Sequence, residues 1–109
     1  MCLMDRFIFH KQSTQTSEGK ILVNNSFEEI TIDIQGTAQS FEAIFEGKVD
    51  KNSEWTPIMF GNLTDLSLNT KVTELNTNWN NNISGYLYLR VRIINIQEGC
   101  LTIVGRLKY

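Results

Sequence analysis

The chain has 109 residues, a formal net charge of −2 and a sequence isoelectric point of about 5.3. This length has room for one hydrophobic core, so we expect a single domain over residues 1–109. The slightly acidic balance does not favour nucleic-acid binding, and no apolar run approaches the roughly 20 residues that span a bilayer, so we expect no membrane insertion.

The N-terminal segment "MCLMDRFIFHKQ" mixes charged residues with its apolar ones. It therefore lacks the continuous apolar stretch of a signal peptide, and we expect synthesis in a cytoplasm. Residues 5–11 are a candidate strand, and a polar loop follows. We expect residues 1–19 to form an N-terminal strand and loop that is loosely attached to the domain.

The next part of the chain predicts short β-strands. Residues 29–36 alternate between isoleucine and polar residues, which is the period of a strand with one buried face. Residues 40–49 place Phe, Ala and Phe inward and Glu42 and Glu46 outward. The polar sequence "DKNSE" at residues 50–54 indicates a turn.

A polar stretch occupies the middle of the chain. Pro57 in the strand before it indicates a sheet edge or a bulge. Residues 70–75 are a possible further strand. The run "NTNWNNN" is interpreted as a polar loop that carries Trp79, because asparagine is typical of turns.

The C-terminal part predicts a β-hairpin. A loop of residues 97–99, with Gly99 in a left-handed conformation, would match the apolar stripes of the two strands. This register places Arg90 opposite Arg106 on the outer face, and directly opposed like charges are destabilising unless something compensates them. Four residues share the first strand's outer face: Tyr86, Tyr88, Arg90 and Arg92. Glu42 and Glu46 could compensate these arginines, as could a partner protein or an acidic ligand.

Catalytic and metal-binding patterns are weak. Glu42 and Glu46 would lie roughly 13 Å apart on one strand, which is too far for an acid–base pair. His10 has no nucleophile in a familiar arrangement around it. Cys2 and Cys100 could form a disulfide, although reduced cysteines are the simpler expectation. Two cysteines and one histidine without close spacing do not predict zinc. Since neither an acid–base pair, nor a nucleophile–base pair, nor a metal site is indicated, we expect no enzyme, no metal and no cofactor.

Aromatic side chains offer a possible ligand platform. Trp55, Trp79, Tyr86 and Tyr88 each have a flat apolar face with a polar edge, which suits stacking on sugar rings. Trp79 is the better candidate because it lies in a polar segment. Trp55 is expected instead to plug one end of the domain.

Three motifs occur in a recognisable order: "FEAIFEGKVDKNSEWTPI", "ISGYLYLRVRI" and "CLTIVGRL". Over residues 30–107 this succession resembles small β-sandwich modules of tailed bacteriophage and prophage particles, among tail, baseplate and virion-surface proteins. The turn "DKNSEW" lacks the glycine that is usual there. The resemblance implies a non-enzymatic module that assembles into symmetric particles, and some such modules bind sugars of the host surface.

Short strands separated by turns, without any sustained helical period, indicate an all-β fold. We predict a single antiparallel β-sandwich of jelly-roll type. From the resemblance we expect a structural or assembly protein of a phage or prophage-derived particle, made in the bacterial cytoplasm, whose partners are copies of itself and other phage structural proteins. The predicted interface comprises Tyr86, Tyr88, Arg90, Arg92, Arg106, Glu42 and Glu46. The alternative is a carbohydrate-binding module that recognises cell-surface glycans through Trp79 and Trp55.

Overall fold

The computed structural model describes residues 4–109. Eleven β-strands lie in this range: β1 Met4–Ser13, β2 Leu22–Val23, β3 Glu29–Gly36, β4 Ser40–Lys48, β5 Thr56–Pro57, β6 Phe60–Asn62, β7 Leu68–Asn69, β8 Lys71–Val72, β9 Thr77–Asn82, β10 Tyr88–Gln97 and β11 Leu101–Lys108. The described residues include no helix that is long and apolar enough to cross a membrane.

The strands form two antiparallel sheets. Sheet A has six strands in the order β1-β11-β3-β9-β6-β7. Sheet B has five strands, in the order β2-β10-β4-β5 with β8 also paired to β4. This arrangement confirms the predicted all-β antiparallel fold in a single domain. The jelly-roll connectivity stays a prediction.

One hydrophobic core lies between the two sheets. Strand β3 contributes its isoleucines, and β4 contributes Phe41, Ala43 and Phe45, as the alternation of both segments predicts. The rings of Phe45 and Phe60 stack with their centroids 4.4 Å apart. The predicted turn at residues 50–54 is confirmed by a 3.0 Å hydrogen bond from Ser53 N to Asp50 O.

The predicted hairpin of β10 and β11 is wrong. Strand β10 pairs with β2 and β4 in sheet B, whereas β11 pairs with β1 and β3 in sheet A. The short segment between them therefore crosses from one sheet to the other. The prediction failed because two strands that face each other across a core need matched apolar stripes, just as two paired strands do. The stripe alone does not distinguish these arrangements.

The crossing between β10 and β11 packs against a second crossing, between β3 and β4. Thr37 N and Ala38 N both donate hydrogen bonds to Cys100 O, at 2.9 and 3.2 Å. Gly36 has φ +146° and Gly99 has φ +113°, a region that L side chains rarely adopt. A Cβ on Gly36 would lie 2.1 Å from Cys100 O, so the close packing of the two corners requires glycine there.

The N-terminal strand is not loosely attached, contrary to the prediction. Strand β1 pairs with β11 from Met4 opposite Lys108 to Ser13 opposite Leu101, and Phe9 is buried. A strap of residues 14–21 then runs from sheet A to the edge of β10. There Ser17 exchanges two backbone hydrogen bonds with Ile93, at 3.1 and 2.8 Å. The predicted disulfide alternative involves Cys2, which lies outside the described residues.

Candidate functional site: the outer face of sheet B

The outer face of sheet B is formed mainly by β4 and β10. Because alternate residues of each strand point into the core, the intervening side chains share the opposite face. The strands pair so that Arg90 lies opposite Glu46 and Tyr88 lies opposite Lys48. Arg90 therefore meets a glutamate across the strands. The incorrect hairpin register had placed Arg106 there instead.

An arginine–glutamate cluster lies at the centre of this face. Glu46 Oε1 accepts hydrogen bonds from Arg90 Nε at 2.8 Å and from Arg92 Nε at 3.0 Å, and Glu46 Oε2 accepts one from Arg92 Nη2 at 3.1 Å. The side chains of Glu46 and Arg90 are only 6% and 9% exposed. A nearly buried carboxylate is thus shared by two guanidinium groups, which are well suited to bind it.

Arg90 has two further partners. Its Nη1 lies 3.2 Å from Glu18 Oε1, which the strap brings over β10. Its Cζ lies 4.1 Å from the centroid of the Trp55 ring, and Lys48 Nζ lies 5.1 Å from the same centroid. Such cation–π contacts fix the ring as well as the cation.

The electrostatics of the cluster follow from these contacts. Burial by itself raises the pKa of Glu46, but the hydrogen bonds from Arg92 and then Arg90 outweigh it and hold the pKa below its ordinary value. The same hydrogen bond from Arg92 to Glu46 raises the pKa of Arg92. The two guanidinium groups are matched by the two carboxylates of Glu46 and Glu18. These four residues are called the Arg90 cluster below.

A groove of about 250 Å³ lies beside the Arg90 cluster. It is lined by Ile21, Lys48, Lys51, Trp55 and Tyr88. The lining therefore combines two aromatic rings and one aliphatic side chain with two ammonium groups. Such a lining can contact an apolar group and an anionic group at the same time.

The structure brings together only part of the predicted interface. Tyr88, Arg90, Arg92 and Glu46 lie on one face, and Glu42 lies further along β4, 3.1 Å from Lys71 Nζ. Arg106 is on the outer face of sheet A, opposite Arg6 and Thr31, so its predicted opposition to Arg90 is wrong. The error follows directly from the incorrect hairpin.

Tyr86 is also misplaced in the prediction. It precedes β10 and packs against the core, where a Cβ on Gly47 would lie 2.9 Å from its ring. Asn24 fixes this segment, since its Nδ2 donates hydrogen bonds to Ile83 O at 2.9 Å and to Tyr86 O at 3.1 Å. The alternation of β10 does not extend back to Tyr86 because the chain turns at residues 83–86.

Trp79 does not lie in a loop, which corrects the prediction for "NTNWNNN". The segment is β9, and Trp79 is 4% exposed with its ring 5.6 Å from that of Phe45. Its Nε1 donates to Thr77 Oγ1 at 2.9 Å. The neighbouring asparagines point outward, and Asn80 Nδ2 donates to Thr31 Oγ1. A buried Trp79 has no ring face to offer a sugar.

Trp55 lies on the outer face of sheet B, against Arg90 and Lys48, so the prediction that it plugs one end of the sandwich is wrong. Four contributors to this face were not predicted: Glu18, Ile21, Lys48 and Lys51. Lys48 has the same parity as Glu46 along β4, so the strand period could have found it. Glu18 and Ile21 belong to the strap, whose path over β10 has no signal in its polar sequence.

The remaining reactive groups are arranged for structure. His10 is buried, where its Nε2 bonds to Val91 O and its Nδ1 lies 3.3 Å from Ser13 Oγ. Burial lowers the pKa of His10, and the hydrogen bond to Val91 O only partly offsets this. Within residues 4–109, no three His, Cys, Asp or Glu side chains are grouped to hold a metal ion.

Comparison with known proteins shows which proteins share this fold. A family model, XepA, matches residues 4–107. The SPbeta prophage-derived protein YomS of Bacillus subtilis (strain 168) is 32% identical over 99 residues, which cover 91% of this chain and 82% of YomS.

Two solved structures agree closely with this one. The crystal structure of the SPBc2 prophage-derived protein YomS has a TM-score of 0.91 at 28% identity, covering 100% of this chain and 97% of that one. The crystal structure of the PBSX exported protein XepA has a TM-score of 0.92 at 25% identity. That match covers 95% of this chain and 37% of the XepA chain, so this chain spans little more than a third of the length of XepA. The family model, the similar sequence and the shared fold agree: the chain belongs to the XepA family.

Proposed function

We propose that this chain is a non-enzymatic structural or assembly protein of a phage or prophage-derived particle. It acts by protein–protein contact, with copies of itself or with other particle proteins, through the outer face of sheet B. The prophage origin of YomS supports the association with a particle. The observation that carries the choice of face is the position of Trp55 and Tyr88 in a groove beside the nearly buried Glu46–Arg90 pair.

The energetics of the face favour contact with a protein. Tyr, Trp and Arg are enriched at protein interfaces because they combine a large contact area with directional hydrogen bonds. Arg90 holds the ring of Trp55 at 4.1 Å, so little side-chain freedom is lost when a partner covers it. Ile21 and Val23 are 43% and 50% exposed at the same edge and add apolar area.

The test is whether the chain travels with the particle. Particles from a bacterium that produces them are separated on a density gradient, and the chain is detected by mass spectrometry. We expect the wild type in the particle fractions and Tyr88→Glu at the top of the gradient, because the substitution removes the aromatic contact area and pairs Lys48, opposite residue 88, with a carboxylate of the chain itself. Tyr109→Glu, at an exposed C-terminal position, is the matched control and should sediment with the particles.

Absence of the wild-type chain from the particle fractions would contradict the assembly role. Equal sedimentation of Tyr88→Glu and wild type would contradict the choice of face. Circular dichroism and thermal unfolding of both variants ensure that a loss of sedimentation reports on contact and not on folding.

The second candidate function is recognition of a surface glycan at Trp55. The half-buried ring beside Tyr88 favours it, because sugar rings stack on such surfaces. Two cations already lie over the Trp55 ring, at 4.1 and 5.1 Å, and compete with a sugar for its faces. We therefore place this function second. Its test is a titration with cell-wall glycan fragments in which the fluorescence of Trp55 is monitored, and a saturable change would support this function.

A further inference from the structure

We propose that the groove beside Trp55 binds an acidic segment of a partner protein. A carboxylate of that segment is held by Lys48 and Lys51, and a neighbouring apolar side chain packs against Trp55 and Ile21. This inference rests on the proposed protein-contact role and names the chemistry of the partner.

The charge of the groove is the first argument for an acidic partner. The four charges of the Arg90 cluster cancel, so the cluster itself does not attract an anion. Lys48 and Lys51 differ from it, because no carboxylate of residues 4–109 lies within 4.0 Å of either ammonium group. The groove is therefore a local positive site in a chain whose net charge is −2. An incoming carboxylate gains an ion pair there without breaking an existing one.

The apolar lining carries the second step. Val23 lies opposite Tyr88, and Tyr88 lies opposite Lys48, so an aliphatic side chain, an aromatic ring and a cation follow one another across the sheet. A simple anion would leave the rings unused, and a purely apolar group would leave the ammonium groups unpaired. A segment in which an acidic residue adjoins a leucine or an aromatic residue uses both parts of the lining.

The size and rigidity of the groove carry the third step. About 250 Å³ accommodates one or two side chains of a partner segment and not a folded element. Arg90, held by Glu46 at 2.8 Å, supports the ring of Trp55 from within the sheet. The groove is thus formed before the partner arrives, which lowers the entropy lost on binding.

The probe is the blocked tripeptide glutamyl-leucyl-glutamate, titrated into the 15N-labelled full chain. We expect the indole N–H resonance of Trp55 to shift in a saturable manner while that of Trp79, in the core, stays in place. The affinity should fall as salt is added, since the lysines are exposed to screening. The matched control peptide, glutaminyl-leucyl-glutamine, should bind at least about 5-fold more weakly, which corresponds to the upper range for one exposed ion pair.

Two variants locate the anion. Lys48→Gln and Lys51→Gln should each weaken binding of the acidic tripeptide by about 2- to 5-fold, because each removes one exposed ion pair. Lys108→Gln is the matched control, since Lys108 is an exposed lysine on β11 of sheet A. It should leave the affinity unchanged.

Three outcomes would overturn the inference. They are a Trp55 resonance that does not move, an equal shift with the neutral tripeptide, and a shift that depends on protein concentration alone, which would identify a second copy as the occupant. The particle experiment separates this failure from failure of the proposed function. If the chain sediments with particles but ignores the acidic peptide, the inference alone is wrong. If it binds the peptide but never sediments, the particle role is wrong and the chemistry of the groove stands.

Discussion

Arg90 and Glu46 lie directly opposite each other on β10 and β4, and their side chains form a 2.8 Å ion pair that is nearly buried on the outer face of a sheet. The pair is covered by Trp55 and by Glu18 of the strap. The face therefore has a nearly buried polar pair at its centre, and surrounding side chains cover it. This explains why Tyr88, Arg90 and Arg92 alternate with the apolar stripe of β10.

The first prediction concerns the stability that depends on Glu46. Glu46→Gln removes the negative charge that balances two guanidinium groups, so we expect a loss of about 3 kcal/mol in the free energy of unfolding, as for other broken buried pairs. Urea denaturation measures it. Glu42→Gln, which affects the exposed pair with Lys71, is the control and should cost no more than about 1 kcal/mol. Equal losses for the two variants would show that burial of the Arg90 cluster has no energetic consequence.

The second prediction concerns pH and His10. Because burial lowers the pKa of His10 in the folded state, the unfolded chain takes up the proton first as pH falls. The stability due to neutral His10 is thus complete above the ordinary pKa of about 6.5 and is lost below it, with a slope of at most about 1.4 kcal/mol per pH unit for one proton. Urea titrations from about pH 7 down to about pH 5 should show this slope in the wild type and not in His10→Gln. A slope that survives the substitution would assign the effect to another group.

The third prediction concerns the corner of Gly36. Gly36→Ala places a Cβ within 2.1 Å of Cys100 O at a φ of +146°, so we expect a loss of about 3 kcal/mol or more. Gly85→Ala is the control, because no atom lies within 4 Å of the added Cβ, and it should change stability by no more than about 0.5 kcal/mol. Thermal or urea unfolding compares them. If Gly36→Ala were as mild as the control, the two corners could not be packed as described.

The fourth prediction concerns the two tryptophans. In Trp79→Phe the remaining Trp55 should be quenched by iodide more strongly than by caesium, since Arg90 and Lys48 lie 4.1 and 5.1 Å from its ring and attract anions. In Trp55→Phe the remaining Trp79 should emit at shorter wavelength and resist both quenchers because it is buried. Strong quenching of Trp79 would restore the loop position that the asparagine-rich sequence predicts.

Much of the fold follows from strand periodicity. The isoleucines of β3 and the phenylalanines of β4 are buried as their alternation predicts, and Pro57 lies in β5, an edge strand of sheet B. The pairing of strands does not follow from periodicity. The stripes of β10 and β11 match equally well within one sheet and across two, and the choice depends on the distant strands β3 and β4.

The face of sheet B was predictable only in part. The alternation of β10 identified Tyr88, Arg90 and Arg92, and the alternation of β4 identified Glu46 as a compensating charge. The contribution of Glu18 depends on the path of the strap, which is fixed by backbone hydrogen bonds from Ser17 to Ile93 and from Lys20 to Phe9. Backbone contacts of this kind leave no trace in side-chain type. Strand β9 was missed for a different reason: its outward residues are asparagines, which are typical of turns.

The measurement that tests the central claim most directly is hydroxyl-radical footprinting of the chain, alone and in purified particles. The account predicts that Trp55 and Tyr88 become protected in the particle, while Tyr109, exposed at the C-terminus, keeps its reactivity as an internal reference. Unchanged reactivity of Trp55 and Tyr88 in a particle that contains the chain would contradict the assignment of the outer face of sheet B as the contact surface.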